Sequence, residues 1–125
     1  MPPVALAVTA PPARPVIWRI TDRTTFQRLR ADGRRRRRGP LSVVSAPTAP
    51  VGAPARVAFT VSRTAGGAVA RNRIRRRLRA ATRELARAGS LPEGAYLIGA
   101  SAEVAEMSWP DLVATLTELV DEVAR

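Results

Sequence analysis

Residues 71–79 read Arg-Asn-Arg-Ile-Arg-Arg-Arg-Leu-Arg: six guanidinium groups and one amide around two apolar side chains. A guanidinium is a planar fork of N–H donors that engages phosphate oxygens in pairs and sheds water more readily than an ammonium group. The chemistry on offer is therefore polyanion binding. Spacing turns this composition into a surface. On an α-helix Ile74 and Leu78 lie on one face, and Ala81 and Leu85 continue the stripe. At about 100° per residue, Asn72, Arg76, Arg79, Arg83 and Arg87 gather on the opposite side. Almost no acid is interleaved there, which separates this ridge from an ordinary solvated charged face.

Other chemistries are poorly supplied. The chain has no cysteine, histidine or lysine, so it offers no disulfide framework, thiolate, imidazole base or amine nucleophile, and no zinc site of the usual ligand type. Asp22, Asp32 and Glu84 are too dispersed in sequence to suggest a carboxylate site. Catalysis by the protein's own side chains is not expected.

The 125 residues suffice for one domain, and with aromatics at 4% its core must rest on Val, Leu, Ile and Ala. The net charge is +11 and the sequence pI about 11.9. That charge is segregated. From Arg14 to Arg87 there are 20 arginines against three acids, whereas residues 88–125 hold seven acids against Arg125 alone. A basic body with an acidic end steers a polyanion to one side, with nucleic acid and acidic lipid as the two candidates.

The elements that must position the ridge can be read in order. Residues 1–17 are Pro/Ala-rich, without the basic start and unbroken apolar run of a secretory signal, and no stretch approaches the roughly 18 apolar residues of a membrane span. They read as a disordered extension of a cytoplasmic protein, with one domain at 18–125. Thr21 or Asp22 can cap a short helix with Phe26 and Leu29 on its buried side and Gly33 at its end. Arg34 to Arg38 form a block that is stable only on an exposed edge or paired with anions. Leu41 to Ala46 reads as a strand and residues 47–54 as a connector. Residues 56–62 alternate, with Val57, Phe59 and Val61 on one face and Ala58, Thr60 and Ser62 on the other. A glycine loop (Gly66, Gly67) leads into the basic helix, which Gly89 ends, and Tyr96 to Ala100 is a short strand. Ser108 with Asp111 three residues later caps a last helix, with Pro110 in its first turn and Leu112, Leu116, Leu119, Val120 and Val123 on its apolar face. Helix, two or three strands, helix, strand and helix imply an α+β sandwich.

The run V-S-R-T-A-G-G-A-V-A-R-N-R-I-R-R-R-L-R at residues 61–79 resembles the signature of the bacterial ribonuclease P protein subunit. Arg19-Ile20-Thr21, Phe26-Gln27 and Gly33 look like that family's first helix, and Tyr96-Leu97-Ile98 with the Leu-rich end looks like its last strand and helix. The likeness covers roughly residues 18–123. It implies a two-layer sandwich in the order α-β-β-β-α-β-α with a left-handed βαβ crossover, the rarer hand. It also implies a protein inactive alone that serves a catalytic RNA, in an endonuclease holoenzyme that removes the 5′ leader of precursor tRNA with Mg2+ bound mainly by the RNA. Neither a membrane nor an obligatory protein partner is implied.

Carried over residue by residue, Arg71, Asn72, Arg73, Arg75, Arg76 and Arg79, with Arg83 on the same ridge, take the positions that hold the RNA. Asn72 takes the one nearest metal. Ser62 and Arg63 end the strand that borders the leader cleft. Phe26 matches an aromatic that packs on the leader, and Arg30 and Thr60 join it in the cleft. The family often has aromatics where this chain has Arg30 and Val44, and basic residues where it has Thr64 and Gly67. Arg30 and the Arg34–Arg38 block offer charge instead.

Other readings stand beside these. Phe26 is equally suited to the core, Asn72 to capping the helix, and Arg73 and Arg77 to pairing with Glu84 or other acids. Trp18 and Trp109 read as packing residues. A structural, ribosomal-type RNA-binding protein would share the charge and the helix. A free-standing nuclease would need clustered carboxylates or a histidine, and a membrane-surface helix a broader apolar face.

Overall fold

The computed structural model describes residues 18–20, 22–47 and 55–124, so the reading of residues 1–17 as disordered lies outside the described residues. Strand alternation sets the architecture. In β3 (Leu41–Ala46) and β5 (Ala95–Ala100) both faces are largely buried, the pattern of strands central in a sheet. They pair antiparallel, Val43 opposite Ile98. β4 (Arg56–Val61) joins β5 in parallel, Phe59 beside Ile98. The edges are β1 (Trp18–Arg19), parallel to β4, and β2 (Arg34–Arg38), antiparallel to β3, which gives the order β1-β4-β5-β3-β2.

One sheet face carries the main core. Leu41, Val43, Val57, Val61, Tyr96 and Ile98 meet Ile74, Leu78 and Leu85 of helix α2 (Ala68–Arg87) and Leu112, Leu116 and Leu119 of helix α3 (Trp109–Ala124). The other face is covered in part by helix α1 (Arg23–Asp32), whose Leu29 packs with Ile20, Val44, Ala46 and Ala95. The α+β sandwich is thus built mainly from sheet, α2 and α3, with α1 on the opposite side. The element order matches the expected one once β1 is added. That strand is two residues long, too short to carry a periodic signal.

Caps fall where the chemistry puts them. Asp22 accepts from the Thr25 amide (2.9 Å) and opens α1. Ser108 accepts from the Asp111 amide at the head of α3. The N–H of Ser90 returns to the Leu85 carbonyl (2.8 Å) past the end of α2. Gly33 ends α1 for want of room: a Cβ there would lie 2.2 Å from the Leu29 carbonyl oxygen and 2.5 Å from Val44.

The arginine block resolves both ways the sequence allowed. β2 is an exposed edge strand, and Arg38 is held by Glu118 and Glu122 of α3, with Arg36 3.9 Å from Glu122. Charged edge strands also resist pairing with other chains.

Candidate nucleic-acid interface

Helix α2 buries Ile74, Leu78, Ala81, Thr82 and Leu85, the predicted stripe with Thr82 added, its hydroxyl donated to the Leu78 carbonyl (2.7 Å). This packing turns the other side outward. Asn72, Arg73, Arg76, Arg79 and Arg83 are all exposed, while Arg71 and Arg75 are half-buried. Among the described residues no carboxylate pairs with Arg73, Arg76 or Arg83. Guanidiniums without an acid partner among the described residues have donors that a ligand could engage.

Several neighbours behave differently from their ridge positions. Arg79 extends over the Phe59 ring, 5.9 Å from its centroid, a cation–π arrangement that local sequence does not disclose, because alternation alone puts Phe59 on the Val57/Val61 face of its strand. Arg87 pairs with Glu84 at 3.5 Å, so the acid expected for Arg73 or Arg77 serves the ridge end instead. Arg77 donates to the carbonyls of Val104 (2.6 Å) and Met107 (2.7 Å) and fastens α2 to the segment before α3. It is a structural arginine. Among the described residues the buried Arg71 Nε finds no hydrogen-bond partner, so they leave its desolvation unrepaid.

Ser62 and Arg63 connect this ridge to the opposite sheet face. The Ser62 hydroxyl meets the Thr64 hydroxyl at 2.7 Å, and Arg63 opens a 3-10 turn, Arg63–Ala65, before α2, in which Arg63 and Thr64 are exposed and Ala65 packs on the core. On the far face, Phe26 is half-buried against the α1 cluster together with Ala58 and Leu97, while Arg30 and Thr60 are exposed. The predicted residues therefore form two groups on opposite faces of the sheet, joined at the end of β4. At the head of α1, Arg56 pairs with Asp22. Hydrogen bonds from the Thr25 hydroxyl and amide, with the Arg56 guanidinium, hold the Asp22 carboxyl at a pKa of about 2.

The family model described as Ribonuclease P matches residues 15–124, which include the ridge, the turn before it and α1. The chain belongs to the ribonuclease P protein family. It is 40% identical over 114 residues to the ribonuclease P protein component of Thermobifida fusca, covering 86% of this chain and 76% of that one. To the component from a Nocardioides species it is 41% identical over 97 residues, covering 72% and 81%. The solved structure of the Staphylococcus aureus RNase P protein superposes with a TM-score of 0.69 over 86% of this chain and 95% of that one; at 22% identity it bears on the fold alone.

A ribonuclease P protein raises the question of Mg2+, for which Asn72 is the candidate side chain. Its Oδ1 accepts a hydrogen bond from Arg75 (3.3 Å) and stands among guanidiniums. Among the described residues no group of three acidic, histidine or cysteine side chains could hold a metal. Mg2+ demands several oxygen ligands in octahedral array, and one amide oxygen facing a cation does not fit a site held by protein alone.

Proposed function

We propose that this chain is the protein subunit of a ribonuclease P holoenzyme. It binds the catalytic RNA through the arginine ridge of α2 and the Arg63 turn, and the 5′ leader of precursor tRNA on the α1 face of the sheet. The protein adds positive charge to an RNA-borne reaction, the Mg2+-dependent endonucleolytic hydrolysis that leaves the mature tRNA 5′ end. In this reading the RNA supplies the ligands for Mg2+, and Asn72 at most touches a metal's hydration shell. In this reading the protein acts on precursor tRNA in the cytoplasm. Among the described residues no helix is long and apolar enough to cross a membrane.

The observation that supports this reading best is the row Asn72, Arg73, Arg76, Arg79 and Arg83, exposed on one helix with almost no acid beside it. The orphan Arg71 Nε adds to it, since a phosphate oxygen would repair that donor. A structural, ribosomal-type RNA-binding protein would use the same ridge. The two are separated by titrating the protein into ribonuclease P RNA and into a ribosomal RNA fragment of similar length at the same salt. Tighter binding to ribonuclease P RNA is expected. Equal affinities would favour the general RNA-binding role.

A further inference from the structure

Five consecutive arginines on one strand cannot all face the same way. Successive side chains of a strand point to opposite faces, and residues paired across two strands share a face. Arg36 and Arg38 stand opposite Val43 and Leu41, on the α2/α3 face, and the glutamates of α3 hold them there. Arg35 and Arg37 stand opposite Val44 and Ser42 and so rise on the α1 face. Among the described residues the ion pairs of this strand are those of Arg36 and Arg38. The block is thus divided by face: Arg36 and Arg38 close onto α3, whereas Arg35 and Arg37 have no ion pair among the described residues, and Arg37 Nε alone reaches the Gly39 carbonyl at 3.5 Å.

What lies beside Arg37 gives that anion a shape. Register carries a single row across four strands, from Arg37 to Ser42, Gly99 and Thr60. The next row, Val44, Leu97 and Ala58, is the one against which Phe26 and Leu29 of α1 pack. Thr60 is exposed, and Gly99 keeps the strip low: a Cβ there would stand 2.6 Å from the Ser42 hydroxyl and 3.3 Å from Thr60. The result is a shallow polar strip with the half-buried Phe26 beside it and two guanidiniums at its β2 edge. A strip one side chain deep suits an extended single strand, whose bases can lie on the floor while its phosphates meet the edge.

We infer that Arg35 and Arg37 form a two-guanidinium edge clamp for the backbone of single-stranded RNA laid across this strip. Resting on the function proposed above, the RNA strand is the unpaired 5′ leader. Two residues of strand separate the guanidinium stems by roughly 6.7 Å, so the pair engages successive phosphates rather than one. The clamp stands beside Val44, which Arg35 faces across the β2–β3 pair.

The test uses the holoenzyme reconstituted with ribonuclease P RNA, binding a precursor tRNA and the mature tRNA that lacks the leader. Arg35→Gln with Arg37→Gln should weaken precursor binding about tenfold and lower the slope of log K against log[salt] by about 1.4, at roughly 0.7 per phosphate on a single strand. Mature tRNA affinity and melting temperature should stay unchanged. Arg36→Gln with Arg38→Gln should do the reverse, lowering the melting temperature without a loss specific to the precursor. Equal losses on both tRNAs, no loss on either, or the same selective loss from both double variants would overturn the clamp. A wild-type holoenzyme that cuts precursor tRNA normally would then leave the proposed function standing. One that assembles but does not cut would overturn both.

Discussion

Arg79 of α2 lies over the ring of Phe59 of β4, 5.9 Å from its centroid, and thereby ties the middle of the arginine ridge to the sheet beneath it. The contact fixes where that guanidinium stands before any ligand arrives. Replacing Arg76 and Arg79 with alanine should weaken binding to ribonuclease P RNA and flatten its salt dependence by about 1.5 in slope, at roughly 0.7 to 0.9 per phosphate. Phe59→Leu should keep both charges and the slope, and lose only about two- to fivefold in affinity, the scale of an exposed cation–π contact. A double alanine variant with an intact fold and an unchanged slope would mean that the ridge is merely solvated.

Arg77 sits within the same arginine run but should behave in the opposite way. Its two hydrogen bonds to the Val104 and Met107 carbonyls are charge-assisted and partly buried. Arg77→Ala should cost about 1.5–3 kcal/mol in urea unfolding, the scale for hydrogen bonds to charged groups, and leave the salt slope of RNA binding as in wild type. A loss in slope with no loss in stability would move Arg77 to the interface.

Phe26 should separate the two tRNA ligands. Phe26→Leu keeps an apolar filling against Ala58 and Leu97 and should preserve the fold. Stacking of a leader base on the ring predicts a loss of precursor binding near the lower end of the usual 1–3 kcal/mol, with mature tRNA unaffected. No loss with either ligand would assign Phe26 to the core.

Stability should stay level through neutral pH and fall at both extremes. The chain has no histidine, lysine or cysteine to titrate near neutrality. Asp22, lowered to about 2 from 3.8, stabilises the fold above pH 3.8, and that contribution is lost as pH falls through the folded value. Burial pushes the Tyr96 hydroxyl, which donates to the Pro92 carbonyl, up to about 12 from 10.0. Its contribution is complete below pH 10.0 and is lost as pH rises through the folded value. The urea midpoint followed against pH should show both arms, and Tyr96→Phe should abolish the alkaline one. An alkaline arm that persists in that variant would place its cause elsewhere.

The features legible in the sequence were those written in local periodicity. Ile74, Leu78, Ala81 and Leu85 define the buried side of α2 from spacing alone, and the alternation of residues 56–62 sorts Val57 from Ala58 as the fold does. Asp22, Ser108 and Gly33 end or begin helices through chemistry that acts within a few residues. What escaped depends on partners far along the chain. The hold of α3 on Arg36 and Arg38 spans some 80 positions, the carbonyls that Arg77 grips lie near α3, and Phe59 meets Arg79 only after α2 folds back on β4. The placement of α1 on the sheet face away from α2 and α3 was likewise tertiary. The ridge was visible in the composition, but which of its arginines remain open to a ligand was decided by packing.

The central claim is that this protein lends charge to an RNA that carries the chemistry. The most direct measurement is multiple-turnover cleavage of precursor tRNA at low Mg2+ by ribonuclease P RNA alone, by the protein alone, and by the two together. Rapid cleavage is predicted only for the mixture, with the requirement for the protein fading as Mg2+ rises and screens the same phosphates. Turnover by the RNA-free protein, or a mixture no faster than the RNA alone at low Mg2+, would contradict it.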